Sequence, residues 1–176
     1  MRDIIKATLA APVTKLGVQC LAVLAAIILL DQASKAWVLY ALRLPTHGPV
    51  TILPFFSFTY VQNTGMSFGL LGGGLFRWVL TLFQLAAGCA LGFAASKQTK
   101  PLAGIALAFI AGGAIGNAID RIRFGSVVDF IDFSGTHIFP WVFNVADSAI
   151  TIGVALLAWY FLQSETAAKD ETSPQG

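Results

Sequence analysis

The sequence is poor in charge. Only 11% of its 176 residues are Asp, Glu, Lys or Arg, while 56% are hydrophobic; soluble chains carry roughly 25% charged residues. An ordinary water-soluble domain is thereby excluded. The net charge is only +2, and the basic residues form no block or stripe, so nucleic acid is not an expected partner. Cysteine and histidine are scarce too. Cys20 and Cys89 lie inside apolar runs and read as small buried hydrophobes, which leaves no disulfide framework. His47 and His137 are the only histidines and there is no Cys-rich spacing, so no metal site is expected.

What the chain has in abundance is long apolar runs. A membrane span needs about 20 mainly apolar residues, and four segments qualify, at about 16–35, 75–95, 102–119 and 141–162. The apolar part of the first ends at Leu30, where a cleaved leader would show a small-residue processing site. The chain continues instead as Asp31-Gln32-Ala33-Ser34-Lys35 in helical spacing, so a retained helix is expected.

The expected fold class is an all-α membrane protein. One domain over 1–163 carries four transmembrane helices, with a small β-sheet and a short loop on one membrane face. The connection at about 41–74 is too long for a structureless loop in a compact protein. Within it "FFSFTYV", Phe55 to Val61, alternates aromatic and polar residues as a surface strand does. Residues 164–176 are polar and read as a disordered tail. Four spans put both termini on one side. Lys97 and Lys100, in a turn without acids, favour the cytoplasm for that side.

The polar residues gather on the opposite side, where Asp31, Asp120, Asp129, Asp132 and Asp147 all fall. In "GGAIGNAIDR", Gly112 to Arg121, helical spacing puts Asn117, Asp120 and Arg121 on one face, beside a Gly112/Gly116 pair that lets a neighbouring helix approach. Helix packing with a local Asp–Arg pair would account for part of this. Asp31 and Lys35 are four apart and can pair along a helix, a common way to end a span. "NTGMSF", Asn63 to Phe68, reads as a turn, although the Asn63 amide also suits a bound peptide backbone. In "GSVVDFIDF", Asp129 and Asp132 interrupt a segment too short to be a further span. Asn144 suits an N-cap, with Asp147 as third helical residue.

Three other function classes fit parts of this pattern. A proton-coupled transporter would place polar residues through the middle of its spans, whereas here they collect at one end. A serine peptidase using Ser34 and Lys35 would need its serine from elsewhere, because adjacent helical residues point about 100° apart. A purely structural subunit has no use for paired aspartates.

Five motifs in order carry a closer resemblance: "DQASK" at Asp31 to Lys35, "NTGMSF", "GGAIGNAIDR", "VVDF" at Val127 to Phe130, and "FNVADS" at Phe143 to Ser148. The chain resembles the bacterial lipoprotein signal peptidases, or signal peptidase II, aspartic peptidases of the cytoplasmic membrane. The resemblance implies that Asp129 and Asp147 form the catalytic dyad. Asp31, Lys35, Asn63, Asn117, Asp120, Arg121 and Asn144 match supporting positions, and Gly65, Gly112, Gly113 and Gly116 would leave room for substrate. Asp132 is expected to be peripheral. The implied substrate is a prolipoprotein whose cysteine carries diacylglyceryl, cut just before that cysteine by an activated water without cofactor or metal. Lipid-modified precursors and membrane lipids would be the partners of a monomer in the inner membrane. Its active site would face the periplasm and both termini the cytoplasm.

Overall fold

The computed structural model describes residues 12–65, 74–136 and 138–172. Helix α1 (Lys15–Ala36) starts at Thr14, whose hydroxyl accepts the Gly17 amide at 2.7 Å, and ends in a π-helical turn, Trp37–Ala41. A short helix α2 (Leu44–His47) leads to the hairpin β1 (Val50–Leu53) and β2 (Phe56–Asn63). Helices α3 (Gly74–Ser96) and α4 (Pro101–Phe124) follow. The chain then forms β3 (Val127–Asp132), a 3₁₀ turn (Ser134–Thr136), β4 (Val142–Phe143) and α5 (Val145–Thr172).

Four helices are long and apolar enough to cross a membrane, over Lys15–Ala41, Leu75–Ser96, Pro101–Phe124 and Val145–Glu165. Helix α4 is central. It packs against α1, α3 and α5, and 67% of its apolar window is buried, against 17–28% for the others. Its composition explains this position. Between lipid-solvated helices the hydrophobic effect gives little attraction, so close backbone approach has to supply the packing. Ala106, Ala111, Gly112, Gly113, Gly116 and Ala118 line α4 and are all buried. A Cβ added at Gly113 would collide with the Ala146 carbonyl, and one at Gly112 would lie 2.9 Å from the Ile27 side chain.

Three boundaries in the last two spans differ from the sequence expectation. The third span runs on to Phe124, because Asn117, Asp120 and Arg121 point into the bundle and the helix needs no early exit to water. The last helix begins at Val145, since Val142 and Phe143 are drawn into the sheet opposite Asp132 and Ile131. That helix also continues to Thr172, so residues 164–172 are helical where an irregular tail was expected. Glu165, Ala167, Ala168 and Lys169 are good helix formers, and local propensity outweighs their polarity.

The sheet is larger than expected. It is antiparallel in the order β1-β2-β3-β4, so two of its strands come from the segment between α4 and α5 and not from residues 41–74. Its apolar face packs Val128 and Phe130 against Val38 of the π-helical turn and Leu44 of α2, and Phe58 meets Trp37 edge-on at 5.4 Å. These contacts fasten the sheet to the end of α1.

Candidate active site

Strand β3 and the start of α5 each deliver one aspartate. Asp129 sits opposite Val61 of β2 and is 1% exposed. Asp147 is the third residue of α5, where a carboxylate suits the unpaired amides and the helix dipole. Asn144 caps that helix. Its Oδ1 accepts the Asp147 amide at 2.9 Å, and its own backbone N–H donates to Asp147 Oδ2 at 3.3 Å, a reciprocal capping box.

The same Asn144 side chain reaches the other aspartate. Its Nδ2 donates to Asp129 Oδ1 at 2.6 Å and to Asn117 Oδ1 at 3.3 Å. Asn117 Nδ2 in turn donates to Asp147 Oδ1 at 2.8 Å. Asn63, the last residue of β2, donates Nδ2 to Asp129 Oδ2 at 2.9 Å, while its Oδ1 accepts the Gly65 amide at 2.9 Å. The turn and the site are thus one feature. Gly65 has φ +79°, and a Cβ there would lie 2.6 Å from Leu80. Residues 66–68 of the "NTGMSF" motif, and His137, lie outside the described residues.

Burial pushes the Asp129 carboxyl up to about 6, and the nearby Asp147 charge adds to this, against the hydrogen bonds from Asn63 and Asn144 and the attraction of Lys35. Asp132 behaves oppositely. Burial opposes its ionisation, yet hydrogen bonds from Ser134 and Thr59 outweigh that and hold it below the usual carboxylate range. Being three residues from Asp129 on a pleated strand, it faces the other side of the sheet, where it accepts the Ser134 amide at 2.8 Å.

Beneath the aspartates lies a buried ionic cluster. Lys35 Nζ is 2.8 Å from both Asp31 Oδ2 and Asp120 Oδ2 and 3.1 Å from Asn117 Oδ1. An ammonium held this way has no lone pair to offer as a base, and Ser34 Oγ donates to its own helix at Asp31 O, 2.8 Å away. The serine alternative loses both its groups. Arg121 is 7% exposed and donates Nη1 to Gln84 Oε1 at 2.6 Å, while its buried Nε has no partner among the described residues. Its positive charge faces Asp147, Asp129 and Asp120.

The two dyad candidates, the seven supporting residues and Gly65 therefore meet in one region, whereas Gly112, Gly113 and Gly116, expected to leave room for substrate, are packed against α1 and α5. Sequence reasoning missed two amides that complete it. Gln32 bridges Asp31 Oδ2 at 3.1 Å and Asp120 Oδ1 at 2.9 Å, and Gln84 anchors Arg121. A lone amide inside an apolar span was the available signal for Gln84, and its place between Asp31 and Lys35 was the signal for Gln32.

Two cavities open onto the pair. One, of about 580 Å³, is lined by Asn63, Gly65, Asp129, Trp141 and neighbours. The other, of about 490 Å³ and almost wholly apolar, runs along α5 past Phe139, Phe143, Asp147, Thr151 and Ile152. Each aspartate lines one of them.

The family model described as signal peptidase (SPase) II matches residues 23–163. A lipoprotein signal peptidase of Caulobacter vibrioides is 43% identical over 169 residues, covering 91% of this chain and 96% of the relative. One from Rhodopseudomonas palustris is 45% identical over 157 residues, covering 85% and 96%. Among solved structures, a bacterial membrane enzyme at 28% identity superposes with a TM-score of 0.71, covering 94% of this chain and 99% of the other. A second bacterial membrane enzyme at 30% identity gives 0.69, covering 86% and 96%. Fold and matches together define a multi-pass bacterial membrane peptidase. The chain belongs to the signal peptidase (SPase) II family.

Proposed function

We propose that this signal peptidase removes the signal peptide from prolipoproteins whose cysteine carries diacylglyceryl, hydrolysing the bond just before that cysteine with Asp129 and Asp147 as the catalytic dyad. The observation that carries the reading is the convergence of the two carboxylates, from different elements, on the shared amides of Asn144 and Asn117. Two carboxylates facing one water do not both ionise cheaply, so a single proton is shared. The elevated value of Asp129 supports it as the holder of that proton, with Asp147 as the base.

In the reaction, Asp147 takes a proton from the water as its oxygen bonds to the scissile carbonyl carbon. Asp129 donates its proton to the carbonyl oxygen. As the C–N bond breaks, the nitrogen leaves as an amine with the proton from Asp147, and Asp129 recovers its own from the collapsing intermediate. Arg121 offsets the surplus negative charge of the site. The apolar cavity along α5 suits the hydrocarbon part of the substrate, and the more polar one beside Asn63 suits the peptide backbone. The site lies at the outer face of the inner membrane, with both termini in the cytoplasm.

The test is mass analysis of a diacylglyceryl-modified precursor incubated with the purified protein. Cleavage just before the modified cysteine is expected, with loss of turnover in both Asp129→Asn and Asp147→Asn while each stays folded in membranes. Near-normal cleavage by either variant would sink the dyad.

A further inference from the structure

The ionic cluster under the site has a geometry that simple anchoring does not require. Asp31 Oδ1 accepts the backbone N–H of Ala146 at 3.0 Å, and Ala146 immediately precedes Asp147. Asp120 Oδ2 accepts the backbone N–H of Val128 at 3.1 Å, and Val128 immediately precedes Asp129. Each of these carboxylates thus grips the chain one residue before one of the two aspartates. Lys35 joins the grips, with its Nζ 2.8 Å from each carboxylate. Gln32 braces the same two acids, and the cluster is closed to solvent, with Lys35, Asp31 and Asp120 all 2% exposed or less. Gly116 leaves the room for it, since a Cβ there would lie 2.6 Å from Asp31 Oδ2.

From this we propose that Lys35 is a positioning residue that sets the separation of Asp129 and Asp147, acting through Asp31 and Asp120 on the amides that precede them. The inference rests on the dyad reading above. Lys35 touches neither aspartate and donates to Asn117, which holds Asp147, so the ammonium ties together three supports of the pair. The chain segments bearing the two aspartates are already joined on one side by the β3–β4 ladder and by Asn144, and the cluster adds a second, buried tie at the amide that precedes each of them.

The experiment uses the full chain, a synthetic precursor peptide with a diacylglyceryl cysteine, and the variant Lys35→Met. If the spacing of the pair depends on Lys35, kcat falls about 100-fold, as a displacement near 1 Å would produce, with KM within about twofold. The pH profile separates the causes. Asp129 and Asp147 face each other, with Lys35 from α1 and Asp120 and Arg121 from α4 as the surrounding charges. A pair released to a greater distance repels less, so the two limbs of the kcat/KM bell move toward each other. Loss of a distant positive charge would shift both limbs upward together, and simple misfolding would lower the active fraction without moving either.

A narrowed bell supports the positioning role, and an unchanged width overturns it. Where Lys35→Met does not accumulate folded, Asp31→Asn/Lys35→Met preserves the net charge of the cluster and carries the same test, with the same narrowing expected. The two readings fail separately. Retained cleavage in Asp129→Asn or Asp147→Asn removes the dyad itself, whereas silent dyad variants with a bell of native width in the Lys35 variant remove only its positioning.

Discussion

Asn144 does two jobs with one side chain, and they are separable. Its Oδ1 caps α5 through the Asp147 amide, and its Nδ2 holds Asp129. Serine caps a helix about as well as asparagine, whereas alanine forfeits about 1 kcal/mol. Asn144→Ser is therefore expected to be more stable than Asn144→Ala by about that amount, measured by thermal unfolding in detergent. Both should lose at least about tenfold in kcat, because neither can orient Asp129; a serine variant with native turnover would reduce Asn144 to a cap. Asp129 yields a second expectation at this scale. Its folded value, about 6, lies above its unfolded one, so the folded state binds the proton more tightly and stability falls as pH rises through that interval. Asp129→Asn removes the penalty. Its melting temperature should gain on that of the unaltered protein between about pH 4 and pH 6, and a gain that shrinks over that range would show the carboxyl is not elevated. For turnover, the alkaline limb of kcat/KM should lie above the ordinary carboxylate range. That of kcat should lie higher still, because bound substrate excludes water from the site.

Among the elements, α4 and β3 carry the arrangement. Helix α4 meets the first turn of α5 through Gly113, where an added methyl strikes the Ala146 carbonyl one residue before Asp147. Gly113→Ala is expected to cost about 1 to 3 kcal/mol of stability by overpacking, and to lower kcat in the protein that remains folded. Unchanged turnover per folded molecule would mean the α5 start tolerates displacement. Strand β3 places its two aspartates by parity. Asp129 turns toward the site, while Asp132 faces away and is held by Ser134, so Asp132→Asn should leave turnover within about twofold. A silent Asp132→Asn would mean the wrong carboxylates had been paired. Helices α1, α3 and α4 were legible because apolar length and period are local properties. Strands β3 and β4 were not, since "VVDFID" and "VF" are too short to signal a sheet until β2 supplies the partner.

For the whole molecule, the sheet and the polar ends of the four spans lie on one side and the Lys97–Lys100 turn on the other. Cysteines placed at Thr46 and Ser134 should react with an impermeant reagent applied outside the cytoplasmic membrane, and one at Thr99 should not. The reverse labelling would turn the catalytic face inward. The lipid of the proposed substrate carries an expectation of its own. If acyl chains anchored beside α5 hold the scissile bond level with Asp147, part of their binding energy goes into orienting the carbonyl. An unlipidated precursor should then lose kcat as well as affinity, and equal kcat at saturation would confine the lipid to recruitment.

Membrane residence, the four spans and the side on which polar groups collect could all be read along the chain, because a bilayer selects for runs of about 20 apolar residues whatever they pack against. Helical spacing likewise paired Asp31 with Lys35 and put Asn117 beside Asp120. Which of five carboxylates meet was a different matter. That depended on the β2–β3 register opposing Val61 to Asp129, on the glycine-lined approach of α4 to α5, and on Lys35 drawing Asp31 and Asp120 together from separate helices. Those contacts join residues distant in the chain, and no local pattern of polarity specifies them; they exist only once the backbones have closed to packing distance.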